Sequence, residues 1–161
     1  MQTFLPYKDF DKSAKALDSK RLNKQILEGY QILKVLSNDD PHAAWRNHPA
    51  VKMWRGHERS LYNYVMCMVA EADIRGIKTD KNVANIMELV RNAGKRWGSD
   101  LPAWYGNTSK VRRLTTTHKA NLYKKDPVYY YEFFPAVAKS NPCCPDRKTP
   151  CQYYWVTHEE K

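Results

Sequence analysis

No apolar run in the 161-residue chain approaches the roughly 20 residues that a membrane span requires, and its start lacks the pattern of a secretory signal. These absences lead us to expect a soluble protein of the cytoplasm with no membrane partner. Cysteine is scarce, at four residues, and does not form a secreted disulfide framework. Cys67 lies in an apolar helical run and reads as a small buried hydrophobe. Cys143, Cys144 and Cys151 cluster near His158, but without the paired C-x2-C spacing of a zinc knuckle. Free thiols are the preferred reading, and we expect neither metal nor cofactor. Ser-His-Asp order, a nucleotide-phosphate loop and a His/carboxylate metal motif are all missing, as are internal repeats and linkers. The length suits one domain over residues 1–161. Acidic residues are outnumbered, 17 against 27 Lys and Arg, so the chain carries a formal charge of +10. That excess concerns partners rather than fold, and nucleic acid is the common intracellular polyanion.

Aromatic residues are plentiful, with 11 Tyr and 5 Trp, which separates the chain from a disordered basic tail. The richest stretch runs from Trp45 to Gly56 and holds Arg46, Asn47, His48, Pro49, Lys52, Trp54 and Arg55. Asn47 is placed to cap a helix whose first turn accepts Pro49. Cations beside a helix start favour an anion, and rings beside cations suit bases and phosphates. The same residues also fit a capped core helix with buried tryptophans and a solvated cationic rim.

Four helical segments are expected. The first covers about Asp11 to Leu36, with Leu22, Ile26, Tyr30 and Leu33 on one stripe. The second starts near Pro49, buries Trp54, Leu61, Val65, Met68 and Ala72, and ends at Gly76 in the left-handed conformation. The third starts from a Thr79 or Asp80 cap and uses Val83, Met87 and Val90. The fourth follows Ser109, places Val111, Leu114, His118 and Leu122 in register, and stops before Pro127. His118 on that apolar stripe reads as a core residue. Beyond Pro127 the aromatic, proline-flanked chain reads as irregular, and no alternating strand pattern occurs, so the fold class is all-α: a helical bundle with an irregular, aromatic-rich tail over about 135–161.

Opposite the first stripe, Arg21, Lys24, Gln25 and Glu28 recur at helical spacing, with Asp18 one turn earlier. One carboxylate among cations suits acid–base work or transition-state stabilisation. An ordinary surface pair, Lys24 with Glu28, worth about 0.3–0.5 kcal/mol, accounts for the same pattern.

The start Met1 to Tyr7, then Leu17-Asp18, Arg21-Leu22 and Lys24-Gln25, then Asn47-His48-Pro49 through Trp54-Arg55-Gly56, resemble pyrimidine-dimer DNA glycosylase-like proteins. The resemblance resumes at Pro102 to Asn107, with Trp104-Tyr105-Gly106, and at His118 to Pro127, and ends at Tyr154-Trp155-Val156. Similarity to the phage-type dimer glycosylases rests on the long first helix, Arg75-Gly76-Ile77 and the aromatic tail. The resemblance implies an all-α enzyme that binds damaged duplex DNA and cuts the N-glycosidic bond of a lesion. It also implies a terminal α-amine as nucleophile, a Schiff base at C1′ leading to strand cleavage, and help from a first-helix carboxylate and arginines. Alpha-amines suit this chemistry, because a substantial fraction is unprotonated near neutral pH.

Two departures shape the assignment. Such enzymes expose a small residue after losing the initiator Met, whereas Gln2 is bulky, so Met1 is expected to stay and supply the amine. Their glutamate directly follows an arginine, whereas Leu22 follows Arg21, so Glu28 takes the role, with Asp18 second. The catalytic candidates are therefore Met1, Asp18, Arg21, Lys24 and Glu28, with Lys20 or Lys24 as alternative amines. The DNA-binding candidates are Gln25, Arg46, Asn47, His48, Lys52, Arg55, Trp104, His118 and Lys119. The partner is double-stranded DNA with a lesion or abasic site, met by a monomer. A monofunctional glycosylase, a non-catalytic DNA-binding module and an RNA-binding helper are the alternatives.

Overall fold

Two of the expected helices are broken, one at a side-chain cap and one at a glycine turn. In the computed structural model, which describes residues 1–139 and 153–157, the first segment divides into α1 (Phe10–Ala16) and α2 (Ser19–Leu36). Leu17 and Asp18 between them are extended, and the Asp18 carboxylate accepts the Arg21 N–H at 3.3 Å, so Asp18 caps α2. Arg75 closes α1 from outside, its guanidinium donating to the carbonyls of Leu17 at 2.6 Å and Lys15 at 3.1 Å while pairing with Glu71 at 2.9 Å. Those carbonyls have no partner within the helix and need an external donor.

The second segment divides into α3 (Pro49–Lys52) and α4 (Glu58–Ile74). Gly56, at φ 79°, turns the chain between them, and Gly76, at φ 74°, ends α4 as its sequence predicts. His48 caps α3 in place of Asn47, its Nδ1 accepting the Ala50 N–H at 3.1 Å, and Asn47 is exposed. Next come α5 (Asp80–Ala93) and α6 (Thr108–Lys125), the latter capped by the Asn107 side chain. The aromatic segment after Pro127 is helical rather than irregular at first, forming α7 (Pro127–Phe133) and α8 (Pro135–Lys139). The Asp126 carboxylate accepts the Tyr129 N–H and Pro127 fits the first turn, which starts α7 there. Residues 153–155 have no regular structure. No strand occurs among the described residues, so the fold is all-α.

Helix α2 lies centrally, against α4 on one side and α5 on another, and α1 also packs on α4. Its interface with α4 is close because a Cβ on Gly29 would lie 2.3 Å from Val65 Cγ2. Leu22, Ile26, Leu33, Leu61, Val65, Met68 and Ala72 are buried in the shared core. Trp54 is fully buried there, donating its indole N–H to Thr3 Oγ1 at 3.2 Å. Cys67 is only partly buried, on the margin of the core. Cys143, Cys144, Cys151 and His158 lie outside the described residues, and no helix of the described residues is long and apolar enough to cross a membrane.

Candidate active site

The chain start runs through the protein without a strand partner. Residues Gln2 to Leu5 are buried and non-helical, so their backbone N–H groups need acceptors from side chains. Those acceptors come mainly from α2 and α6. Gln2 donates to Glu28 Oε2 at 3.2 Å, and Thr3 to the Gln2 side chain at 2.8 Å. Phe4 donates to Gln25 Oε1 at 2.8 Å, and Leu5 to His118 Nδ1 at 2.8 Å. The Tyr64 hydroxyl, 2.7 Å from Gln25 Oε1 and 2.8 Å from the Phe4 carbonyl, ties α4 into the same network. Burial, and then the Glu28 charge, push the Tyr64 hydroxyl well above its ordinary pKa.

This anchoring brings Met1 to the Glu28 carboxylate. One residue of backbone, about 3.8 Å, separates the Met1 nitrogen from the Gln2 nitrogen bonded to Glu28, so the amine falls within about 7 Å of that carboxylate. Both residues line an open cleft of about 390 Å³ together with Gln31, Lys34, Val35 and Trp45. Glu28 is held by the Gln25 side-chain amide at 3.1 Å and faces the Lys24 ammonium at 3.7 Å. Lys24 is largely exposed, and Lys20 is exposed at the other end of the helix. Arg21 and Lys24, acting after burial itself, lower the Lys125 amine, which Glu28 raises, so these four groups share one electrostatic neighbourhood.

His48 stands beside the same amine. Burial first, and then the charge of the Met1 amine, lower its imidazole below the ordinary histidine value. With Nδ1 accepting from Ala50, the neutral ring carries its proton on Nε2. Its ring lies 5.6 Å from Trp45 and 5.7 Å edge-on from Trp155. Trp45 is 57% exposed and sits at φ 69°, a left-handed conformation that costs a non-glycine residue about 1–3 kcal/mol. Arg46, its neighbour, donates to the Asn38 carbonyl at 3.2 Å and accepts at its own carbonyl from Arg55. Lys52 and Arg55 are exposed beyond it.

Several residues that sequence reading assigned to catalysis or DNA contact hold the interior instead. Asp18 is buried, with one oxygen on the Arg21 side chain at 3.2 Å and the other accepting from the Tyr130 hydroxyl. Its own N–H donates to the same hydroxyl at 3.0 Å. Gln25 is 1% exposed and fully engaged, so it positions Phe4 and Glu28 rather than facing DNA. Trp104 is buried edge-on against Trp54 and donates to the Met53 carbonyl at 2.8 Å. His118 is fully buried, and burial depresses its pKa to about 3. Lys119 is half-buried, over the Tyr7 ring at 4.6 Å beside Lys12, which sits over the same ring at 4.2 Å. Burial, and then Lys12, lower the Lys119 amine.

Sequence reasoning missed Gln31, Lys34 and Val35 as cleft-lining residues. The signal was available, because residues 31 and 35 continue the spacing of Arg21, Lys24 and Glu28 along the same face of α2. No group of three or more His, Cys, Asp or Glu among the described residues could hold a metal ion.

Comparison with known proteins identifies a family over the first half of the chain. No curated protein and no solved structure gives a match. The family model described as pyrimidine dimer DNA glycosylase matches residues 1–85, which carry the threaded chain start, Glu28 on α2, Trp45, His48 and all of α4. That span exceeds half of the 161 residues and includes each of the described residues lining the cleft, and the chain belongs to the pyrimidine dimer DNA glycosylase family, whose substrate is DNA.

Proposed function

We propose that the protein is a DNA N-glycosylase with AP-lyase activity, acting on damaged or modified pyrimidines, pyrimidine dimers foremost, in duplex DNA. The observation that carries this reading is the bond from the Gln2 backbone to Glu28, which holds an amine and a carboxylate in one open cleft. The unprotonated Met1 amine attacks C1′ of the lesion nucleotide, and the base departs with the glycosidic electron pair. Loss of a proton from the amine and opening of the sugar give an imine between Met1 and C1′. The imine acidifies the C2′ proton, whose removal expels the 3′ phosphate and cuts the strand. Glu28 is placed to stabilise positive charge developing at C1′ and to accept a proton. Arg21, Lys24 and Lys34 supply cations for the backbone phosphates on the α2 side, and Arg46, Lys52 and Arg55 do so around α3. Gln25 and His118 act through the chain start, by fixing Phe4 and Leu5 and so the position of Met1. A monomer is sufficient for this chemistry, since one chain supplies both groups.

Borohydride trapping on abasic-site DNA tests the reading, with the adduct located by peptide mapping. An adduct on the peptide beginning at Met1 supports it, and one on a peptide with Lys20 or Lys24 moves the nucleophile. Base release with no adduct refutes the amine and leaves a monofunctional enzyme. Glu28→Gln should slow single-turnover cleavage by about a hundredfold or more with DNA affinity nearly intact. Lost affinity with unchanged cleavage per complex would make Glu28 structural.

A further inference from the structure

Three of the five tryptophans, Trp54, Trp97 and Trp104, are buried with their indole N–H groups bonded inside the protein. Trp45 differs in every respect. It is 57% exposed, it lines the cleft shared by Met1 and Glu28, and it is held at φ 69°. Glycine would adopt that conformation without strain, so the backbone gives no reason for a large ring at this position. Core packing gives none either, since more than half of the residue is exposed.

The turn that presents Trp45 is firmly built. The His48 N–H donates to the Trp45 carbonyl at 2.9 Å, the Arg46 N–H to Ala43 at 3.2 Å, and the Arg46 side chain to Asn38 at 3.2 Å. Behind the indole a row of rings runs inward. His48 is centred 5.6 Å from Trp45, Trp155 5.7 Å from His48, Tyr153 5.9 Å from Trp155, and Phe4 6.1 Å from Tyr153. An exposed ring backed in this way is fixed in direction, as a stacking surface requires.

The chemistry of the cleft asks for such a surface. An amine recessed beside α2 reaches C1′ of a nucleotide only when that nucleotide is distorted out of the stack, which leaves a base unstacked nearby. We propose that Trp45 is the platform on which a base displaced from the duplex stacks while the Met1–Glu28 cleft engages the sugar. The proposal rests on the glycosylase reading for its substrate. Every base presents a π face, so the platform accepts a displaced base whatever its identity.

Two measurements test it. Trp45→Gly removes the ring at a φ that glycine accepts, and Trp45→Phe keeps a ring. Trp45→Gly should slow cleavage of dimer-containing duplex by about ten- to a hundredfold, as the loss of a base–aromatic stack does. Its loss on single-stranded abasic DNA, where no base must leave a stack, should be clearly smaller, and Trp45→Phe should recover much of the duplex rate. Equal losses on the two substrates, or a Phe variant no better than Gly, would overturn the platform. The second measurement needs no catalysis. Duplexes with 5-iodouracil opposite, or next to, a non-cleavable tetrahydrofuran abasic analogue are irradiated with the wild-type protein, and the cross-link from one of them should map to Trp45. Cross-links from both that map only elsewhere overturn the proposal. Mapping to Trp45 by a protein that neither releases base nor forms an imine supports the platform while removing the glycosylase reading.

Discussion

Acid should weaken this protein through one histidine. His118 is fully buried, its Nδ1 accepts the Leu5 N–H at 2.8 Å, and its Nε2 has no partner among the described residues. Burial depresses its pKa from 6.5 to about 3, so the folded protein holds it neutral where the unfolded chain would protonate it. The unfolded state therefore binds more protons between those values, and stability rises with pH across that window. The contribution is complete above the unfolded value and is lost as pH falls from about 6.5 toward 3. Between pH 7 and pH 5 the linkage amounts to about 2 kcal/mol, set almost wholly by the unfolded pKa. Urea unfolding followed by circular dichroism at the two pH values measures it. His118→Asn supplies the control, since a side-chain carbonyl can still accept from Leu5 but does not titrate. The variant starts less stable, yet its loss between pH 7 and pH 5 should be smaller than the wild type's by about 2 kcal/mol. His48, lowered in the same direction, is common to both proteins and cancels in the subtraction. Equal losses in the two proteins would refute a neutral buried His118. A protonated imidazole donates from both nitrogens and no longer accepts from Leu5, so the same acid should loosen the chain start that holds Met1 beside Glu28.

Gly29→Ala would ordinarily favour a helix by about 1 kcal/mol. Here the added Cβ would lie 2.3 Å from Val65 Cγ2, and overpacking should reverse the sign to a net loss of about 1–3 kcal/mol by thermal denaturation. Recovery in the double variant Gly29→Ala/Val65→Ala checks the contact, and an unchanged melting temperature for the single variant would contradict it. Tyr130→Phe leaves the buried Asp18 N–H and Oδ1 without the hydroxyl they share and should cost about 1–3 kcal/mol. A neutral result would show that water replaces it.

The helices were legible in the sequence wherever apolar spacing was long and regular. Leu22, Ile26 and Leu33 on α2 and Leu61, Val65 and Met68 on α4 are buried as their periodicity requires. The breaks were not legible. Asp18 falls in register on the polar face of a continuous helix, and only its bonds to Arg21 and to Tyr130, 112 residues away, turn it into a cap. The exchange of Asn47 for His48 as the α3 cap is of the same kind, since either side chain can accept an N–H and spacing alone does not choose between them. The first turns of the aromatic segment fold as α7 because Asp126 and Pro127 form a start signal, which the density of aromatic and proline residues obscured.

The site shows the same limit in a sharper form. Polar residues facing DNA and polar residues accepting from buried backbone occupy the same helix positions, and periodicity does not distinguish them. Glu28 and Gln25 lie on one face of α2, yet Gln25 is closed in by Phe4 and Tyr64 while Glu28 reaches the cleft. What separates them is the path of the first five residues, an extended segment with no strand beside it. Its buried N–H groups must take side-chain acceptors: Thr3 turns to Gln2 beside it, while Gln2, Phe4 and Leu5 take Glu28, Gln25 and His118 in turn as the segment passes α2 and α6. That requirement makes the site and the fold one construction, because the bonds that satisfy the buried backbone also carry Met1 to Glu28. A substitution at Gln25 or His118 should therefore affect cleavage without either side chain touching DNA.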